Sequence, residues 1–254
     1  WRREWGQGDY PFYYVQIAPF QYRDKKLPAA LLREAQFQTL AVRNTGMAVT
    51  MDIGNPTDIH PKAKKPVAHR LARLALARDY GRSGLLDSGP EYVGHEVVAD
   101  RVILRFKHVG GGLTSRDGQP LSHFRIAGSD RVFHPATATI DGKTVVVRAQ
   151  EVKSPVAVRY AWGNSDEPNL SNRDLDNGDG LPASSFRTDA WPIEPRQLEK
   201  KPARPARKSD AKQPATTEQG KAAARKPARR NPTTTIPPNI VYIMSDEWAY
   251  YESS

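Results

Sequence analysis

The sequence contains no cysteine, which excludes disulfide bonds, thiolate metal sites and cysteine nucleophiles. It has no run of 18 or more apolar residues, so we expect no membrane-spanning helix. The chain starts at Trp1, with neither a methionine nor the pattern of a signal peptide, and we therefore expect an N-terminally incomplete sequence. The hydrophobic fraction of 38% over 254 residues is low for a globular protein, which predicts that part of the chain is unfolded.

The basic charge of the chain is concentrated in one segment. The formal net charge is +10, but Arg196 to Thr235 alone contain 12 Lys/Arg against 3 Asp/Glu. This segment has too little apolar surface to offset the entropy lost on ordering, so we predict a disordered basic linker over residues 193–235. Because the rest of the chain is only mildly basic, we expect no specific nucleic-acid partner.

The first 86 residues alternate between strand and helix patterns. Apolar runs predict strands over Phe12–Ala18 and Met47–Ile53. Helical spacing predicts helices over Leu27–Val42, with its apolar face at Leu31, Ala35, Gln38 and Val42, and over Pro61–Tyr80. The order strand, helix, strand, helix is typical of a parallel α/β sheet.

The loop between the second strand and the second helix contains Asp52, Asp58 and His60. In parallel sheets, loops at the carboxyl ends of the strands hold the active-site residues. Histidine exchanges a proton near neutral pH, and a neighbouring carboxylate orients it, so the loop is a candidate acid–base site. A solvated histidine that caps the next helix is the alternative interpretation.

After Ser88 the pattern changes to short strands, which predict a β-rich, sandwich-like region over residues 87–192. The Asp-Gly pairs at 117–118 and 141–142 are typical of hairpin turns. Three consecutive glycines, Gly110 to Gly112, lack the Gly-Lys-Ser/Thr sequence or the helix of a phosphate-binding loop, which favours a glycine-permitted bend. The strands are predicted at Val97–Val98, Val102–Lys107, Phe124–Ala127, Ala136–Ile140, Val145–Arg148 and Ala157–Tyr160.

Seven segments over residues 1–190 together resemble the sialate O-acetylesterases of the SGNH/GDSL hydrolase superfamily. They occur in the order of that family: PFYYVQIAPFQY (11–22), LREAQ (32–36), NTGMAVTMDIG (44–54), DIHPK (58–62), HVGGGL (108–113), PVAVRYAW (155–162) and GLPASSFRTD (180–189). The resemblance implies the C-terminal part of a three-layer α/β/α hydrolase domain over residues 1–86. The β-rich accessory domain over residues 87–192 follows it. It also implies export to the periplasm or the extracellular space.

The resemblance implies a serine hydrolase that removes acetyl groups from sugar hydroxyls without a cofactor, with an acetylated glycan or sialic acid as substrate. His60 in DIHPK matches the catalytic histidine. The superfamily pattern is Asp-x-x-His-Pro, and here Thr57 stands at the position of the acid. Asp58 is therefore the favoured orienting acid and Asp52 the alternative, and related enzymes also work with a Ser-His dyad alone.

The nucleophile block Gly-Asp-Ser and the oxyanion-hole blocks of the family precede the part that this chain matches, and no serine here lies in such a context. Loss of the nucleophile costs about 10⁴ to 10⁶ in kcat. We therefore expect this chain to be inactive by itself, without the N-terminal part of its own domain.

The end of the chain, PNIVYIMSDEWAYYES (238–253), resembles the first strand and metal-binding turn of sulfatases, whose pattern is PNIVxIxxDD. Asp246 matches the first calcium-binding acid, and Glu247 replaces the second. The resemblance implies a calcium site and a truncated sulfatase-like start over residues 236–254. An esterase fused to a sulfatase through the basic linker is the interpretation that accounts for both resemblances.

A non-catalytic glycan-binding or scaffold fragment is the alternative function. Its stacking surface would consist of Tyr160, Trp162 and Trp191, although such aromatic residues more often belong to a core.

Overall fold

The computed structural model describes residues 2–22, 29–174 and 180–193. The linker and the sulfatase-like segment predicted beyond residue 193, including Asp246 and Glu247, lie outside the described residues. The first elements are α1 (Arg2–Trp5), β1 (Phe12–Val15), α2 (Ala29–Gln38), a 3-10 helix (Thr39–Ala41), β2 (Thr45–Ala48) and α3 (Lys64–Arg78). They are followed by β3 (Glu91–Val98), β4 (Arg101–Lys107), β5 (Leu113–Ser115), β6 (Phe124–Ala127), β7 (His134–Pro135), β8 (Thr137–Asp141), β9 (Thr144–Arg148), β10 (Ala157–Tyr160), β11 (Leu170–Asn172) and β12 (Phe186–Arg187).

Strands β1 and β2 pair in parallel, with Phe12 opposite Thr45 and Val15 opposite Ala48. Helix α3 covers this pair, because its buried face packs Leu71 and Leu74 against Tyr13 and Ala48. The predicted order of strands and helices and the parallel pairing are therefore present. The three-layer α/β/α architecture stays a prediction.

The predicted bounds of these elements were too wide. Strand β2 ends at Ala48 instead of Ile53, since the chain turns at Thr50, whose carbonyl accepts a hydrogen bond from Ile53. Helix α3 begins at Lys64 instead of Pro61. Pro66 then lies in the first turn, where backbone N–H groups have no acceptor within the helix, so a proline there costs no helical hydrogen bond.

The predicted apolar face of α2 was wrong. Ala35, Gln38 and Val42 are exposed, and the buried residues of the helix are Ala29, Ala30 and Arg33. An arginine occupies the inner face because carbonyl and hydroxyl oxygens of the 161–185 segment accept its hydrogen bonds. Helical spacing of apolar residues could not indicate such a face.

The β-rich part is a sandwich of two four-stranded antiparallel sheets. One sheet has the order β3-β4-β9-β8 and the other β12-β10-β6-β7. Val102 and Val147 from the first sheet and Ile126 and Val158 from the second are fully buried in one shared core. The sandwich-like region predicted from alternating strands agrees with this arrangement.

The two Asp-Gly turns differ in their outcome. Gly142 and Lys143 connect β8 to β9 in a tight hairpin, in which Asp141 pairs with Thr144 and Gly142 has a φ of 59°. The hairpin prediction at Asp117–Gly118 was wrong, because β5 before that turn pairs with the distant β11 instead of β6.

The triple glycine forms the predicted bend. Gly110 and Gly112 have positive φ values. The Gly111 N–H donates to the carbonyl of Arg173, and the Arg173 N–H donates to the carbonyl of Gly112. These backbone groups are thereby occupied by the chain itself. In the described part of the chain, no helix is long and apolar enough to cross a membrane.

Candidate functional site

The loop of residues 49–63 leaves the carboxyl end of β2 and leads into α3. The Thr50 hydroxyl donates to the carbonyl of Gln16, at the end of β1, with a distance of 2.7 Å. The start of the loop is thus fixed to the same edge of the parallel pair at which α/β proteins place reactive groups.

The structure brings His60 and Asp58 together in this loop. The His60 backbone N–H donates to Asp58 Oδ1 at 2.9 Å, which is the geometry of an Asx turn. His60 Nδ1 lies 4.0 Å from the same oxygen, and the side chains are 65% and 41% exposed. Asp58 therefore faces the Nδ1 side of an accessible imidazole. This distance exceeds that of a formed hydrogen bond.

Asp52 has a different environment. Both of its carboxylate oxygens accept hydrogen bonds from Arg70, at 2.8 and 2.6 Å, and both side chains are nearly buried. Arg70 also donates to the carbonyl of Val49 at 2.6 Å. This bidentate pair connects the loop to α3, and it gives Asp52 a structural role in holding the loop. Sequence reasoning missed Arg70, which is one of several basic residues in a helix.

A short segment, Pro19 to Tyr22, supports the other side of the loop. Asn55 donates to the carbonyl of Pro19 at 3.2 Å, and Gln21 donates to the carbonyl of Pro56 at 3.1 Å. Gly54 is required at this contact, because a Cβ atom there would lie 2.5 Å from the Pro19 carbonyl oxygen. The loop that carries His60 is therefore bonded on both sides.

The stacking surface predicted for a glycan-binding fragment does not form as a unit. The prediction that Tyr160 belongs to this surface was wrong, because its side chain is fully buried in the sandwich core and its hydroxyl accepts a hydrogen bond from the Leu170 N–H. Trp162 is half-buried with Arg159 and Arg187 near its ring, and Trp191 packs edge-on against Phe133.

The described residues contain no group of three or more His, Asp or Glu side chains arranged to hold a metal ion. The predicted calcium ligands Asp246 and Glu247 are not among them, and the calcium site stays a prediction.

No protein-family model and no curated protein matches this chain. A solved structure does: the crystal structure of a carbohydrate acetylesterase from Xanthomonas citri is 48% identical in sequence, with a TM-score of 0.69. The match covers 75% of this chain and 43% of that one, so the chain spans less than half the length of this relative. The chain is therefore similar in sequence and fold to part of that carbohydrate acetylesterase.

Proposed function

We propose that this chain is part of a carbohydrate O-acetylesterase, a carboxylic ester hydrolase that removes acetyl groups from sugar hydroxyls. The observation that carries the proposal is the match to the carbohydrate acetylesterase from Xanthomonas citri, at 48% identity over 75% of the chain. The paired His60 and Asp58 agree with it, because they supply the proton-transfer half of a serine-hydrolase site.

In the proposed mechanism, His60 takes the proton of the attacking serine hydroxyl and later returns a proton to the leaving sugar alcohol. Asp58 holds the imidazole in the tautomer with a proton on Nδ1. The His60 side chain is 65% exposed, which agrees with a role toward a bound substrate.

The finer parts of the proposal rest on the sequence resemblance. They are a sialate-type substrate, an SGNH-type three-layer domain, a Gly-Asp-Ser nucleophile encoded upstream of Trp1, export, and fusion to a sulfatase-like domain that binds calcium. We propose in addition that residues 1–254 alone have no esterase activity.

Hydrolysis of 4-nitrophenyl acetate tests the function. We expect activity from the longer polypeptide, meaning the protein expressed with the coding sequence upstream of Trp1, and none from residues 1–254. In the longer polypeptide, His60→Ala should lower kcat by about 10⁴ to 10⁶.

The matched control is His69→Ala, which removes an exposed histidine from α3 and should leave the rate unchanged. Full activity of His60→Ala would refute the role of His60. Absence of activity from the longer polypeptide, on this ester and on acetylated oligosaccharides, would refute the esterase.

A further inference from the structure

A second histidine–aspartate pair lies outside the loop of His60. His123 Nδ1 is 3.5 Å from Asp166 Oδ1, and the two side chains are 34% and 28% exposed. This pair is closer together and less exposed than His60 and Asp58. Because Nδ1 faces the carboxylate, Nε2 lies on the far side of the imidazole ring.

The backbone at this pair has an uncommon conformation. His123 directly precedes the first paired residue of β6, Ala161 directly follows the last paired residue of β10, and both have positive φ values, 60° and 49°. The Ala161 N–H donates to the His123 carbonyl at 2.9 Å, so this hydrogen bond joins the two positive-φ residues. Such conformations cost free energy in residues other than glycine, and they are concentrated at functional sites.

The carboxylate of Asp166 is held from its other side. Gly163 donates its N–H to Asp166 Oδ2 at 2.7 Å. Burial raises the pKa of Asp166, but the hydrogen bonds from His123 and Gly163 and the charge of Arg33 outweigh burial and lower that pKa below its ordinary value. Asp166 is therefore ionised at neutral pH and orients the imidazole.

Arg33 fixes the segment that carries Asp166. Its guanidinium is fully buried and donates to the carbonyls of Ala161 at 3.2 Å and Gly163 at 2.6 Å. Burial lowers the pKa of Arg33 to about 10, opposed by the charges of Asp166 and Tyr22. Burial of the Arg33 charge costs desolvation free energy, and the buried guanidinium holds this turn in place.

The same turn contacts the segment that supports the loop of His60. The Phe20 N–H donates to the Asn164 carbonyl at 3.0 Å, and Ser165 Oγ donates to Gln21 Oε1 at 2.8 Å. Residues Pro19 to Tyr22 therefore bind both the turn of Asp166 and the loop of His60. Phe20 is half-buried between these contacts.

We propose that His123, oriented by Asp166, is a substrate-positioning residue that binds a hydroxyl group of the sugar chain beside the candidate catalytic loop. This inference rests on the proposed function. With a proton on Nδ1 directed to Asp166, Nε2 accepts a hydrogen bond from a sugar hydroxyl. The described residues offer no third metal ligand at the pair, which favours a hydroxyl over a cation.

The test compares two substrates in the longer polypeptide. His123→Asn keeps a residue that tolerates positive φ but removes the imidazole. We expect it to raise the KM for an O-acetylated sialyl-oligosaccharide about tenfold, the value of one hydrogen bond of about 1.4 kcal/mol, with kcat unchanged. Hydrolysis of 4-nitrophenyl acetate, which has no sugar, should not change. Asp166→Asn should raise the same KM, and His69→Asn on α3 is the control.

A binding measurement separates this inference from the esterase. The binding is measured by NMR on residues 1–254 labelled with ¹⁵N-histidine. Addition of the same oligosaccharide should shift the ring signals of His123, and the same shift should occur in the His60→Ala variant. Such a shift without esterase activity in the longer polypeptide would support sugar binding and refute the proposed function. Unchanged His123 signals together with an unchanged KM in an active enzyme would overturn the inference. An equal loss of activity of His123→Asn toward the oligosaccharide and toward 4-nitrophenyl acetate would also overturn the inference.

Discussion

The two candidate acids of the loop differ in what holds them. Asp52 forms a nearly buried bidentate pair with Arg70, whereas Asp58 is exposed and faces the imidazole of His60. Removing one partner of a buried ion pair leaves an uncompensated charge, but removing an exposed charge does not. The structure thus separates a stability role from a role toward the histidine.

We predict that Asp52→Asn lowers the free energy of unfolding by about 3–5 kcal/mol, because the Arg70 guanidinium loses its counter-charge. Asp58→Asn should change that free energy by less than about 0.5 kcal/mol and lower kcat of the longer polypeptide by up to about 10⁴. Urea unfolding and ester hydrolysis measure the two effects. An active and stable Asp58→Asn would favour a Ser-His dyad.

Contacts between near neighbours in the chain could be predicted from the sequence, whereas the catalytic roles of Asp58 and His60 stay predictions. Asp58 and His60 are two positions apart, and their pairing follows from local turn geometry. Arg33 and Arg70 could not be identified, since a charged residue in a helix pattern normally faces solvent. Their burial depends on acceptors far along the chain.

At the scale of elements, the segment Pro19 to Tyr22 is the common support of two loops. It is bonded to the loop of His60 through Asn55 and Pro56 and to the turn of Asp166 through Asn164. A Cβ atom on Gly54 would meet the carbonyl oxygen and the ring of Pro19, neither of which can move away by a change of rotamer.

We predict that Gly54→Ala destabilises the protein by about 1–3 kcal/mol and lowers esterase activity, because the new methyl group displaces Pro19. Gly94→Ala in β3 is the matched control: a Cβ atom there meets only Arg105 Nη2, at an ordinary 3.6 Å. Thermal unfolding and ester hydrolysis check both variants. Equal effects of the two substitutions would contradict a specific contact at Gly54.

Elements with strong local signals were predicted within a few residues. Strands β6 and β10 have the predicted bounds, and the hairpin of Asp141 and Gly142 is present. Strands β5, β7, β11 and β12 were missed, because each has only two or three residues and depends on a partner strand. A period of two residues has no meaning over such a length.

At the scale of the whole molecule, several buried tyrosines couple stability to alkaline pH. Burial is the largest cause that raises the pKa values of Tyr14 and Tyr22 to about 12, and it raises those of Tyr13 and Tyr160 further. In the unfolded chain these hydroxyls ionise near pH 10. The unfolded state therefore binds fewer protons than the folded state above that pH.

We predict that the free energy of unfolding falls as the pH rises from 10 to 12. Arg33, whose pKa is lowered by burial to about 10, acts in the opposite direction but is one group against four. Urea unfolding at pH 9, 10.5 and 11.5, with tyrosinate absorbance at 295 nm, measures the effect. Constant stability over this range would contradict the burial of the hydroxyl groups.

The hydrogen bonds of Arg33 also affect the time course of folding. The acceptors on Ala161, Gly163 and Ser185 lie 128, 130 and 152 residues farther along the chain. At a synthesis rate of about 5–20 residues per second, the ribosome needs on the order of ten seconds to produce them after α2 has emerged. Contacts of such long sequence separation give a high contact order and slow folding. Until those residues have emerged, the Arg33 guanidinium stays hydrated and α2 cannot bury its inner face.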